Sequence, residues 1–367
     1  DRWGRDPLWE RAFARVISRQ GALYLRLGLH REAAAALAEG FAISRRLEMP
    51  MEQVRCLVNL ANLAQKRGQY QESDRLSRRS LALSRQIGDQ WGTTHSLLSL
   101  GLVRYRMGDI DEAEDILDES LAVGRETGSP RLLIAPLNIL GDVACHRGDY
   151  AEGLARFGEC LTLGRALDHD FRVALILNNL GTVFQVLGRI DEAQSAYEES
   201  LATCRQIGDQ GGQAVALSNL GEIAYEAGRY AEAASLYRQG LAIGREVRDQ
   251  WIVMACLNNL GEAALALEDN EAARACFSEA LTIARETQTL PLAIKILVNF
   301  AVLLAREGEE RYAVRLLGLA RQHPASEQAI QDKAQQLLDQ LGVQVPEDIK
   351  QPLDATLADL LADVSPP

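Results

Sequence analysis

The chain has 367 residues, 47% hydrophobic and 25% charged, with ten prolines, seven phenylalanines and a net charge of −12. This composition excludes a disordered chain and a β-rich core, and the length exceeds one ordinary globular core, so several domains or a core that grows by stacking is expected. The acidic balance disfavours generic attraction to DNA, RNA or anionic lipid, so neither a nucleic-acid nor a membrane partner is expected.

The opening DRWGRDPLWERAFARV is charged throughout and lacks an apolar signal core, and residues 1–13 read as an N-terminal cap or linker. From residue 14 a shift of 40 positions superposes Leu60, Leu100, Leu140, Leu180, Leu220 and Leu260, with Phe300 next in line. The same shift aligns Gly28, Gly68, Gly108, Gly148, Gly188, Gly228 and Gly308, with Glu268 the one departure. A fixed period of this size signals a solenoid. Repeat units are expected to start at 14, 54, 94, 134, 174, 214, 254 and 294, giving an array over 14–323.

Each unit predicts two helices around its glycine, as in ALSNLGEIAYEAGRYAEAASLYRQGLAIGREVRDQ at 216–250. Leu217, Leu220, Gly221 and Ala224 recur at i, i+3, i+4 and i+7, one apolar helix face, and Gly221 permits a close crossing. Gly228 sits where the chain must reverse, a position suited to a left-handed cap. Ala233, Tyr237 and Leu241 then mark the second helix, and polar linkers such as IGDQ, VRDQ and ETGSP lead to the next unit. The fold class is therefore all-α, an α-solenoid of about eight helix pairs. Beyond His323 the glycine pattern stops. The segments ASEQAIQDKAQQLLDQL and PEDIKQPLDATLADLLADV predict two amphipathic capping helices within 324–367.

The order L-G in the first helix, G-x-[YI]-x-E-A at the turn and an aromatic or Leu in the second, as in GRYAEAASLY and GRIDEAQSAY, resembles the tetratricopeptide repeat, with departures at Glu268, Asn270, Ser73 and Gly153. That resemblance implies a right-handed superhelix that binds protein or peptide partners on its concave surface. The 40-residue variety, with LNNLG helices and the tail VRLLGLARQHPASEQAIQDKAQQLL, is similar to the sensor arms of STAND-class signalling ATPases and transcriptional regulators. It implies a ligand-sensing arm of a larger signalling regulator. A stand-alone receptor for a short signalling peptide and a self-associating scaffold are the alternatives.

No GxxxxGK[ST], HExxH or GxSxG occurs, and none of the five histidines has an i+3 or i+4 partner histidine. No catalytic residue, metal or cofactor is expected, and the chain reads as no enzyme. Cys56, Cys145, Cys160, Cys204, Cys256 and Cys276 form no CxxC pair, which suits reduced thiols in a cytoplasmic protein.

Numbering the first helix so that the repeating Leu is position 7, positions 2, 6, 9 and 13 fall on one stripe opposite the apolar face. The candidate groove residues lie on or beside that stripe: Arg55, Asn59, Asn62, Lys66, His95, Tyr105, Arg106, Asn138, Asp142, Asn178, Asn179, Asn219, Glu222, Tyr225, Glu226, Asn259, Glu262 and Asn299. Asparagine is a poor helix former, so its return on this stripe points either to clamping of a peptide backbone or to bonds between neighbouring repeats. The stripe is basic in the early units, at Arg15, Arg19, Arg26, Arg55, Lys66 and Arg106, where Arg55, Asn59, Lys66 and Arg106 are expected to hold an anionic group such as a carboxylate or phosphate of a small ligand, and acidic at Glu222, Glu226 and Glu262.

Overall fold

The computed structural model describes residues 7–287, 289–323 and 326–342. They form seventeen α-helices, one three-residue 3-10 helix and no strand among the described residues. Two compact units divide the chain, Asp1–Arg172 and Val173–Pro367.

The N-terminal unit is built from α1 (Pro7–Arg26), α2 (His30–Arg46), α3 (Pro50–Lys66), α4 (Tyr70–Ile87), α5 (Gln90–Met107), α6 (Ile110–Glu126), α7 (Ile134–His146) and α8 (Tyr150–Ala166). The chain continues through α9 (Asp170–Val186), whose first residues close this unit, and α10 (Ile190–Ile207). The C-terminal unit goes on with α11 (Gln210–Glu226), α12 (Tyr230–Val247), α13 (Gln250–Ala266), α14 (Asn270–Thr287), α15 (Leu290–Arg306), α16 (Glu310–Gln322) and α17 (Gln328–Leu341). Odd and even helices alternate as pairs, and each even helix also packs on the following odd one within its unit. The second predicted capping helix lies outside the described residues.

The linkers explain themselves as paired stop and start signals. Gly88 and Gly208 end helices in the left-handed region, and the next residues, Asp89 and Asp209, accept from the backbone N–H of Gly92 and Gly212 at 3.1 Å. An aspartate there satisfies an otherwise orphaned helix N–H. At the other turn Glu268 occupies the left-handed conformation at φ 60°, close to the 74° of Gly228, so the departure from glycine changed the residue and kept the turn.

The helix pairs cross closely because small and large residues are matched 16 positions apart. A Cβ on Gly221 would lie 2.5 Å from Tyr237, and one on Gly141 would lie 2.6 Å from Phe157. Gly101 likewise meets Leu117. In the one early pair whose glycine is replaced, Ala61 faces the register of Ser77, so a smaller partner makes room for the added methyl. The other departures have similar causes. Buried Ser73 donates to the Ala61 carbonyl at 2.9 Å, and Gly153 leaves room for the Cys145 sulfur.

A second column ties helix pairs together. Ser80, Ser120, Cys160 and Ser200, at intervals of 40, each donate to a backbone carbonyl 26 residues earlier. Cys160 thus stands in for serine, and burial pushes its thiol up to about 12. Cys56 and Cys276 are raised to about 11, again mainly by burial, so these thiols are structural rather than reactive. All six cysteines are free. No helix among the described residues is long and apolar enough to cross a membrane.

Candidate functional site

The N-terminal unit has a cleft of about 1170 Å³. Its walls carry Arg19 and Arg26 of α1, Arg55, Asn59, Asn62 and Lys66 of α3, His95 and Arg106 of α5, and Phe171 and Arg172 at the start of α9. Glu52 supplies its one carboxylate against six cations. The structure therefore brings the predicted residues Arg55, Asn59, Asn62, Lys66, His95 and Arg106 to one site. They converge because every odd helix presents the same stripe, and stacking places equivalent positions of successive repeats side by side.

Trp91 and His95 stack with ring centroids 4.1 Å apart, and the Arg55 guanidinium lies over the Trp91 ring at 5.9 Å. The His95 Nδ1 is 2.9 Å from the Trp91 carbonyl, and burial holds this imidazole below its ordinary value, so it adds no charge at neutral pH. Asn59 donates to the Arg55 carbonyl of its own helix at 2.8 Å and lines the cleft. Asn62 accepts a long bond from Ser99 at 3.4 Å.

Farther along the same unit Tyr105 meets His146 edge-on at 5.9 Å. Burial is the main reason the Asp142 carboxyl is pushed up to about 6, and Arg106 opposes that shift. Burial first and Asp142 second raise the Tyr105 hydroxyl. Asn138 is half-buried on α7.

In the C-terminal unit the asparagines are used differently. Asn219 donates to Asn178 at 3.5 Å, and Asn299 donates to Asn258 at 2.8 Å, each pair being 41 residues apart. Asn258 also donates to Asn259 and to Glu262, both at 3.2 Å. Asn178 and Asn299 are 7% and 2% exposed, and of the two roles that the sequence left open for these asparagines the bonds they make are those of a bridge between repeats. The physical reason is that position 5 of one first helix meets position 6 of the next, where two amides satisfy each other out of water. Over Asn299 lies α17, whose Lys333 donates to Asn299 Oδ1 at 2.9 Å and pairs with Glu262 at 3.3 Å. Asn179 stays half-buried.

Among the openings of this unit are two that take in predicted residues. One, of about 820 Å³, is lined by Tyr225, Glu262, Asn299, Arg306 and Lys333. The other, of about 220 Å³, holds Asn219, Asn259, Trp251 and Lys295. Tyr225 packs edge-on against Tyr230 at 5.2 Å, and Glu226 accepts from Gln185 at 3.0 Å. Glu222 is raised by burial and then by its neighbours Glu226 and Glu262, with Lys295 opposing.

The sequence reading missed Glu52, Trp91, Phe171 and Arg172. A signal for two of them was present. In the 40-residue register Ala12, Gly92, Leu132, Gly212, Ile252 and Leu292 are small or apolar, and Glu52 and Arg172 are the charged exceptions.

Stacked helix pairs of this period, with a polar stripe on each first helix, define a tetratricopeptide-repeat protein. Models of the tetratricopeptide repeat match residues 53–126, 172–246 and 253–287, and the chain belongs to that family. No curated protein matches the sequence. Among solved structures the chain is similar to the apo form of the quorum sensor NprR from B. thuringiensis, with 13% identity and a TM-score of 0.62 over 93% of this chain and 99% of that one. It is also similar to a Signal Transduction ATPase with Numerous Domains (STAND) protein with a tetratricopeptide repeat sensor from Pyrococcus horikoshii, with 16% identity and a TM-score of 0.61. That match covers 98% of this chain but 53% of the other, so the chain spans about half the length of the STAND protein. The apo form of RapI is 12% identical with a TM-score of 0.58, over 78% of this chain and 99% of that one. At these identities the likeness is one of fold.

Proposed function

We propose that this chain is a partner-binding scaffold that holds an extended acidic protein or peptide segment in the cleft of its N-terminal unit, as the ligand-sensing arm of a larger signalling regulator. The observation that carries the reading is the convergence of Arg19, Arg26, Arg55, Lys66, Arg106 and Arg172 around one opening on a chain whose net charge is −12. Elsewhere the acidic surface repels anions, so this local concentration of guanidinium groups selects carboxylate or phosphate groups at one place. Its size exceeds what a single small anion fills, which favours a chain segment with several anionic side chains. The likeness to a STAND protein's sensor-bearing chain supports the arm role. Free, buried thiols suit a cytoplasmic location.

A stand-alone receptor for a short signalling peptide is the second reading. It is favoured by the match to a quorum sensor over nearly the full length of both chains. In both readings the ligand occupies the same cleft.

Fluorescence anisotropy with a labelled tetraglutamate peptide, acetylated and amidated, tests the site. The double reversal Arg55→Glu with Arg106→Glu is expected to weaken binding at least tenfold, and added salt should weaken binding to the parent protein. Unchanged affinity in the double variant overturns the assignment.

A further inference from the structure

Glu52 is an odd residue to find in a site built for anions. The residue is 5% exposed, on the first turn of α3, in a register that is elsewhere small or apolar apart from Arg172. Oε1 accepts from Arg55 Nη1 at 3.0 Å. Oε2 is buried and has no hydrogen-bonding partner among the described residues, although Glu52 lines the cleft. A carboxylate oxygen removed from water without a donor is disfavoured, so the free protein holds an acceptor that a ligand can complete.

That acceptor narrows the ligand. A pure anion gains from the cations and is repelled by Glu52. A ligand with a hydrogen-bond donor beside its anionic groups gains from both. An extended acidic peptide has this pattern, since every residue offers a backbone N–H and acidic side chains project alternately from it. A nucleotide would also supply donors, from its base, but Trp91 is engaged by His95 and the Arg55 guanidinium instead of being offered to a base.

Resting on the acidic-segment reading above, we propose that Glu52 is a specificity-determining residue whose Oε2 accepts a backbone N–H of the bound peptide, while Arg19, Arg26 and Lys66 hold its acidic side chains. Glu52 thereby sets the register of the segment in the cleft and rejects anions that lack a donor. Arg55 has a supporting part, holding Oε1 so that Oε2 stays aimed at the ligand.

Calorimetry on the full chain at pH 7 with two probes tests this: acetyl-tetraglutamate amide, and the same peptide methylated at its backbone nitrogens. The expected result is that methylation weakens binding to the parent protein at least fivefold, and that Glu52→Ala binds both peptides equally, at the level of the methylated one. Glu52→Gln, which keeps an acceptor oxygen, should retain part of the preference. Should Glu52→Ala fail to fold, the two peptides on the parent protein decide alone. Equal binding of both by the parent protein means that water satisfies Oε2, and it overturns the role of Glu52 while leaving the cleft assignment intact. Tighter binding of the unmethylated peptide by Glu52→Ala, with the gap between peptides unchanged, overturns the role as well. Failure of the unmethylated peptide to bind removes the acidic-segment reading and this proposal with it. Displacement of the peptide by ATP at lower concentration, dependent on Glu52, replaces the peptide with a nucleotide.

Discussion

The N-terminal and C-terminal units share a 40-residue frame and recurring asparagines, yet they spend them differently. In the N-terminal unit the residue 41 positions before Asn59 is Ser18 instead of an asparagine, so Asn59 has no amide partner in that register, and it lines the cleft with Asn62. In the C-terminal unit the amides close on one another as Asn178 with Asn219 and Asn258 with Asn299, and Lys333 of α17 covers the last pair. An asparagine 41 positions earlier therefore gives an amide of the stripe a partner in the neighbouring repeat. Recurrence of a polar residue in a solenoid is thus not evidence of a binding surface until its partner in the next repeat is known.

Breaking the buried ladder gives the largest contrast. Asn258→Leu leaves Asn299 and Glu262 short of a partner and should destabilise the C-terminal unit by about 2 to 3 kcal/mol, whereas Asn59→Leu should cost less than about 0.5 kcal/mol. Urea unfolding together with hydrogen exchange in α13 and α15 measures both, because repeat arrays open locally. Equal losses would erase the distinction between the units.

Protonation sharpens it next. Asp142 has a folded value raised to about 6, so its contribution favours the folded state at pH below the unfolded carboxylate value and is lost as pH rises through about 6. Asp142→Asn should accordingly stabilise the protein by about 1 to 2 kcal/mol at pH 7 and by almost nothing at pH 4. Thermal melts at the two pH values check the sign. The raised Glu222 predicts the same direction for Glu222→Gln in the C-terminal unit.

Smaller effects follow at the covered end and at a turn. Removing half-exposed Lys333 by Lys333→Ala takes the donor from Asn299 and the partner from Glu262, and should lower stability by about 1 kcal/mol, visible as faster amide exchange in α17. Glu268→Gly relieves a left-handed non-glycine and should raise stability by about 0.5 to 1 kcal/mol in the same urea experiment. A loss there would mean that the Glu268 side chain contributes more than its backbone conformation costs.

Much of the fold was legible in the sequence. Leucines at a constant interval marked the inner helix faces, and glycines marked the turns, because both demands are local and repeat identically. The pairing of Gly221 with Tyr237 and of Ala61 with Ser77 could also be read, since a volume lost on one helix must be filled from a fixed distance along the chain. Even the amide ladder was written there as asparagines 41 apart, one beyond the repeat, a spacing that only the stagger of neighbouring helices makes meaningful.

By itself, then, the sequence determined that helices would form, where they would turn and which face would be buried, because periodicity and backbone conformation act within a single repeat. Tertiary structure alone decided that Arg19, Arg55, Arg106 and Arg172, drawn from four different helices, meet around one cleft, and that the second oxygen of Glu52 is buried there without a donor. Convergence and desolvation are properties of stacked helices, and no local pattern encodes how deep a side chain will lie once its neighbours have packed.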